Sequence, residues 1–325
     1  MATLEISFLQ SQLEKRKERL QQALGLAPQN GKLSTLLREV DSALQRMDDG
    51  TYGFCEECHD TIEQDRLIAN PLCRYCLDHL TPPQRTALQR DLDLAADVQR
   101  NLLPQANLRT GDWETCYHYA PHGPVSGDYC DLIPYDGQLF FVLGDVSGKG
   151  VAASMLMAQL HALFRSLTGL RLPLAQIVAQ ANRVLCESAM AGQYATLVCG
   201  IAGDAGEIEI YNAGHCPAIV ATGSGAVPVD SMGLPIGMFA EGEFPATRLG
   251  LQPGDTLFLY TDGLSEASSA GEEYGVERIS RFVHQQRSSQ PPQLIAACLE
   301  DLKSFIEGGS LFDDLTVLAI QRRSS

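Results

Sequence analysis

The chain has 325 residues, 45% hydrophobic and 20% charged. That is enough for one large domain and a smaller one, and too apolar for a disordered chain. Formal net charge is −16, and residues 106–325 carry 24 of the 40 acidic side chains against 12 of the 24 basic ones. A surface of that sign repels phosphate backbones and excludes nucleic acid as a partner there. No apolar run reaches the roughly 18 residues of a membrane span, and residues 1–20 lack a signal core. A cytoplasmic protein with no membrane partner is expected.

Residues 1–50 predict two helices. Leu9, Leu13, Leu20 and Leu24 make one stripe, and Leu33, Leu36, Leu37, Val40, Leu44 and Met47 make a second at helical offsets. Between them residues 25–32, with Pro28, Asn30 and Gly31, break the pattern, so the pair reads as an antiparallel hairpin. Residues 51–80 hold four of the ten cysteines in two CxxC pairs, Cys55 with Cys58 and Cys73 with Cys76. Two such turns complete a closed four-thiolate shell around one zinc, which leaves no position for substrate and is therefore structural. A segment this small needs a metal to hold its fold. His59 and His79 read as surplus and exposed. With no secretion signal, the other six cysteines (Cys116, Cys130, Cys186, Cys199, Cys216, Cys298) count as small buried hydrophobes rather than disulfide partners.

The run Arg46-Met-Asp-Asp-Gly-Thr-Tyr-Gly-Phe-Cys-Glu-Glu-Cys58, followed by Arg66-Leu-Ile-Ala-Asn-Pro-Leu-Cys-Arg-Tyr-Cys76, resembles the zinc finger of the DksA/TraR family. Members of that family insert a hairpin with an acidic tip into RNA polymerase. The turn at residues 25–32 has no acidic residue, so the module is read as a scaffold for sensing, dimerisation or partner docking.

Residues 84–103, with Leu88, Leu92, Ala95, Val98 and Leu102 on one face, predict a linker helix ending at Pro104. From about residue 111 short β-rich runs follow at 114–119, 139–143, 195–202, 207–211, 218–221, 256–260 and 315–320. Helical stretches are expected near 150–169, 173–189, 276–287 and 291–307. Strands often neighbour strands, which favours an α+β class with antiparallel sheets flanked by helices over a doubly wound parallel sheet. The expected domains are 1–80 (hairpin and zinc finger), 81–105 (helical linker) and 106–325 (catalytic).

Four aspartate motifs stand out: Ser126-Gly-Asp-Tyr-Cys-Asp131, Gly144-Asp-Val-Ser-Gly-Lys-Gly150, Tyr260-Thr-Asp-Gly-Leu-Ser-Glu266 and Phe312-Asp-Asp-Leu-Thr316. Asp145 and Asp262 follow predicted strands and Asp313 precedes one. Carboxylates clustered at strand ends need cations to neutralise them, and oxygen-only ligands select Mg²⁺ or Mn²⁺. Each motif alone is no more than a turn.

In this order, with Leu94-Ala-Ala-Asp-Val-Gln-Arg-Asn-Leu-Leu-Pro104, Asn212-Ala-Gly-His-Cys-Pro217 and Gly233-Leu-Pro-Ile-Gly237, they resemble the PPM family of metal-dependent protein phosphatases, in its RsbU/SpoIIE branch. The resemblance runs from about residue 92 to 320 and implies a two-sheet β-sandwich flanked by helices. It implies that Asp145 bridges two Mn²⁺ or Mg²⁺ ions. The Val146 carbonyl and Asp128 would serve one ion, and Asp262 and Asp313 the other. Asp131 and Asp314 are either further ligands or shape the loops, and His215 is read as structural.

The implied reaction is hydrolysis of phosphoserine or phosphothreonine by a hydroxide shared between the two ions. Eukaryotic relatives carry a histidine where Ser147 stands and a phosphate-binding arginine absent beside Asp128. Lys149 is the available cation. The implied partner is a phosphorylated regulatory protein of the anti-anti-sigma (STAS) type, with a homodimer through the N-terminal helices or linker as an open arrangement. Two other readings stand beside it: an adaptor acting on the transcription machinery through the zinc hairpin, and a phosphohydrolase of small molecules.

Overall fold

Leucines at helical spacing build α1 (Thr3–Leu26) and α2 (Gly31–Asp48). The computed structural model describes residues 3–26, 29, 31–80, 82–188, 192–230, 232–269, 271–306 and 313–323. The breakers Pro28 and Asn30, and Phe312 of the last aspartate motif, lie outside the described residues. Leu9 and Leu13 of α1 bury against Val40 and Ala43 of α2, and the same core takes in Tyr52, Cys55, Ile62, Leu67 and Cys76. The cysteine pairs are thus built into the hairpin's own apolar seam. Two short turns of helix, α3 (Gln64–Ala69) and a 3₁₀ turn at Leu77–His79, separate it from α4 (Pro82–Leu102). The chain divides into two units, Met1–Asp91 and Leu92–Ser325, with α4 running from one into the other.

The second unit comprises β1 (Asn107–Thr110), β2 (Trp113–Ala120), β3 (Tyr129–Tyr135), β4 (Gln138–Val146), α5 (Gly150–Gly169), α6 (Leu174–Ser188), β5 (Ala195–Ala202), β6 (Glu207–Ala213), β7 (Ala218–Thr222), β8 (Gly225–Val229), β9 (Ala246–Gly250), β10 (Thr256–Tyr260), α7 (Asp262–Ser265), β11 (Ser268–Ser269), β12 (Glu272–Glu273), α8 (Val276–Gln285), α9 (Pro291–Phe305) and β13 (Leu315–Arg322). They form a six-stranded sheet in the order β1-β2-β13-β10-β7-β8 and a five-stranded sheet in the order β3-β4-β5-β6-β9. Every pairing in both is antiparallel. The small ribbon β11-β12 stands apart.

Side chains alternate across a strand, and the alternation sorts three cores. Leu139, Phe141 and Leu143 of β4 meet Leu257 and Leu259 of β10 and Leu318 and Ile320 of β13 between the sheets. The intervening Phe140, Val142 and Val146 face outward onto α5 and α6. Phe258, Tyr260, Val317 and Ala319 face outward onto α8 and α9. Strands covered on both faces read as unbroken apolar runs, and each Leu or Phe so buried contributes roughly 1.5–3 kcal/mol. Trp113, the only tryptophan, is 1% exposed in the inter-sheet core and donates its indole N–H to the Gly203 carbonyl at 2.9 Å.

Candidate metal centres

The alternation that builds the core also positions the acids. Asp145 continues the inward row of Leu139, Phe141 and Leu143 past the end of the core, so its carboxylate emerges at the rim between the sheets. Its cross-strand partner is Thr196. Asp128 stands in the same way before Cys130 and Leu132, and Thr316 and Asp314 before Leu318 and Ile320. Gly127 reports how closely these segments approach: a β-carbon there would lie 3.1 Å from Asp145 Oδ1 and 3.1 Å from the Val146 carbonyl oxygen. That carboxylate and carbonyl therefore face one point. At Gly263 a β-carbon would lie 2.0 Å from the Asp314 carbonyl. Only glycine lets α7 press onto the start of β13 and set Asp262 beside Asp313.

Electrostatics agree with the packing. Burial pushes the Asp145 carboxyl up to about 7, and Asp262, Asp313 and Asp314 add to the rise. Asp262 is raised by burial and by Asp313. Lys149 Nζ donates to Asp313 Oδ2 at 2.9 Å, and that contact holds its ammonium above the usual lysine range. Asp314 is a strut: its two oxygens accept the backbone N–H groups of His122 (2.7 Å) and Gly127 (2.9 Å). Asp128 is 1% exposed and raised well above the carboxylate range, foremost by burial. Its Oδ2 accepts hydroxyls from Thr261 (3.0 Å) and Thr316. It lies beneath the rim carboxylates, tied to β13 and to the residue that follows β10.

Other polar groups serve the frame. Asp131 is three residues from Asp128 and so on the opposite strand face. It is fully buried against α5, where Arg165 grips both its oxygens at 2.7 and 2.6 Å. The Ser147 hydroxyl accepts the Tyr194 N–H at 2.9 Å. His215 Nδ1 meets the Thr196 hydroxyl at 3.0 Å, and burial lowers its pKa to about 4, which keeps it neutral. Gln99 of α4 exchanges two hydrogen bonds with the backbone of Ser126, donating at 2.7 Å and accepting at 3.0 Å. Ser126 Oγ accepts the Asp128 N–H in turn. Gln99, Thr261, Thr316 and Arg165 were not singled out from sequence. The strand alternation could have paired Thr316 with Asp128, and Gln99 lies within the Leu94–Pro104 motif; nothing in the sequence marks Arg165. A cavity of about 630 Å³ is lined in part by Arg109, Arg287 and Arg323 and includes none of the rim aspartates.

A family model for stage II sporulation protein E (SpoIIE) matches residues 135–323, more than half of the chain. The chain belongs to the SpoIIE family. Asp145, Asp262 and Asp313 fall inside the matched residues, and Asp128 precedes them. Protein IcfG of Synechocystis is 26% identical over 263 residues, covering 71% of this chain and 41% of IcfG. Phosphoserine phosphatase RsbU of Bacillus subtilis is 20% identical over 239 residues, covering 73% of this chain and 71% of RsbU. This SpoIIE-family chain thus spans less than half of one of these relatives and most of the other. A solved structure of the RsbU and RsbW domains of a Mycobacterium tuberculosis protein superposes with a TM-score of 0.59 at 26% identity, covering 67% of this chain and 62% of that one.

In the first unit a family model for the prokaryotic DksA/TraR C4-type zinc finger matches residues 50–78. Among the described residues, ligand atoms of Cys55, Cys58, Cys76 and His79 all lie within 4.8 Å of one another, a donor set that fits zinc. Sequence spacing assigned the fourth place to Cys73. In the structure the Cys73 Sγ is turned toward the Arg66 carbonyl at 3.8 Å, while His79 Nδ1 stands 3.2 Å from Cys76 Sγ. The signal for His79 was present as Cys76-Leu-Asp-His79, a CxxH spacing equivalent to CxxC.

Proposed function

We propose that this chain is a metal-dependent protein serine/threonine phosphatase that removes phosphate from a regulatory protein, with a phosphorylated STAS-type protein as substrate. The observation that carries it is the shared rim of Asp145, the Val146 carbonyl, Asp262 and Asp313, with Asp128 beneath. These are hard oxygen donors from four separate segments, backed by SpoIIE-family membership. The relative RsbU, named a phosphoserine phosphatase, supports the substrate class.

Manganese or magnesium bound among these oxygens would supply an activated water near neutral pH and offset charge on the phosphoryl group. The chain's own residues set the conditions for this. Asp145, raised to about 7, would hold such a cation in its ionised form. Lys149 keeps a positive charge beside Asp313, at the mouth where an anionic phosphoryl group would enter. The Ser147 hydroxyl oxygen accepts the Tyr194 N–H, which fixes the loop after Asp145. Asp131 is committed to Arg165 and takes no part.

Residues 106–325 are read as the catalytic domain and 1–80 as a module holding one structural zinc. Residues 81–105 join them, and the N-terminal helices or linker are where two copies would pair. No described helix is long and apolar enough to cross a membrane, and the proposed location is the cytoplasm.

The test is manganese-dependent hydrolysis of an aryl phosphate and of a phosphoserine STAS protein by the wild type and Asp145→Ala. Turnover by the wild type, lost in the variant, supports the reading. Absence of turnover with either metal sinks it, and preference for nucleotides over phosphoprotein moves the substrate to small phosphoesters.

A further inference from the structure

The two CxxC pairs and His79 together offer five donors where a tetrahedral ion takes four. Cys73, Cys76 and His79 are spaced as overlapping CxxC and CxxH motifs centred on Cys76. We propose that His79 is a zinc ligand in this chain, completing a site with Cys55, Cys58 and Cys76, and that Cys73 is the thiol it displaces.

Two observations carry this. First, the strap around Cys73 is held by contacts that owe nothing to a metal. Tyr52 Oη donates to the Pro71 carbonyl at 2.9 Å, Arg46 to the Cys73 carbonyl at 3.1 Å, and Arg66 to the Tyr75 carbonyl at 3.0 Å. The Leu77 N–H donates to Glu63 Oε1 at 3.1 Å. So pinned, the strap leaves the Cys73 Sγ beside the Arg66 carbonyl, outside the group of converging ligand atoms. Second, the 3₁₀ turn Leu77–His79 folds back on Cys76. The His79 N–H donates to the Cys76 carbonyl at 3.1 Å, and this curl brings Nδ1 to 3.2 Å from Cys76 Sγ. Cys58 Sγ stands 3.7 Å from Cys76 Sγ on the other side.

A segment that matches a C4-type family model over residues 50–78 thus brings three thiolates together with the imidazole of His79, just beyond the match. Such a site carries one negative charge less than a four-thiolate site, and it keeps its metal when Cys73 is lost. The exposed side chain of His79 makes the fourth position the one that solvent reaches.

The test replaces zinc by cobalt in the full-length chain and counts thiolates from the sulfur-to-cobalt charge-transfer absorption. Metal content per chain and far-ultraviolet circular dichroism are measured alongside. The expected result is three thiolates in the wild type, the same spectrum and one metal per chain in Cys73→Ser, and an altered spectrum in His79→Ala. Four thiolates in the wild type with an unchanged spectrum in His79→Ala overturn the proposal, as does a folded Cys73→Ser protein without metal. Should Cys73→Ser not fold, the wild type and His79→Ala decide. Zinc transfer from His79→Ala to a chelator should then be about tenfold faster or more, and an unchanged rate counts against the assignment.

Discussion

Replacing Asp145 by asparagine separates a metal ligand from a merely structural acid by the sign of its effect. In the folded chain the Asp145 carboxyl is raised from the ordinary 3.8 to about 7. The folded-state pKa lies above the unfolded one, so the stabilisation it contributes is fully present below pH 4 and is lost as pH rises through 7. At pH 8 and without metal, ionised Asp145 is a strain on the fold. Its ceiling is about 4 kcal/mol at roughly 1.4 kcal/mol per pKa unit, and solvent screening of a partly buried group reduces this to about 1–2 kcal/mol. Asp145→Asn, which removes the charge, should therefore stabilise the metal-free protein by about that amount. With manganese at a hundred times its Kd the wild type gains about 2.7 kcal/mol and the variant little, so the order of stabilities reverses. Trp113, buried between the sheets and the only tryptophan, reports the sandwich alone. Urea melts at pH 8 followed by its fluorescence, with and without manganese, read the effect. A variant less stable than the wild type by the same margin in both conditions would refute the reasoning.

Other consequences can be measured on the same signal. Arg165→Met strands the fully buried Asp131 and should destabilise by about 3–5 kcal/mol, while manganese affinity of the folded fraction, read by titration, stays within twofold. His215 is held near 4, below its usual 6.5, so its contribution is full above pH 6.5 and falls as pH drops toward 4, by at most about 3 kcal/mol. His215→Gln should remove that slope, seen as the difference between wild-type and variant melts from pH 7 to pH 4. Lys149→Met leaves Asp313 without its ammonium; manganese should bind severalfold more tightly, and KM for a phosphoserine substrate should rise severalfold, both read from metal and substrate titrations of initial rate.

The residues that escaped the sequence reading share a physical cause. The four long strands not anticipated, β1, β3, β8 and β9, are the four edges of the two sheets. Edge strands are free on one side, so β3 and β8 tolerate Pro134 and Pro228 and β9 alternates exposed residues, while β3, buried over Tyr129–Leu132, has its apolar run interrupted by Asp131. The inner strands were legible because burial on both faces leaves an unbroken signal. Among the acids, Asp128 and Asp131 looked alike in one motif, yet a spacing of three along a strand sends them to opposite faces. Missing β3 hid that rule. Asp314, next to Asp313 before a strand that was anticipated, is a strut because its oxygens accept the His122 and Gly127 backbone N–H groups, contacts that lie far away in sequence.

Local chemistry alone determined that this chain has a helical hairpin with clustered thiols, a second half of antiparallel strands flanked by helices and aspartates at strand ends, because spacing, apolar periodicity and glycine placement act over a few residues. Which acids share a rim, that Asp131 answers to Arg165, that Gln99 holds the loop before Asp128, and that His79 rather than Cys73 approaches Cys76 were decided by tertiary structure. Those outcomes depend on strand register and on backbone contacts between segments up to nearly two hundred residues apart. No local pattern encodes them, since each is set by which partner the packed sheets and the pinned strap bring within hydrogen-bond reach.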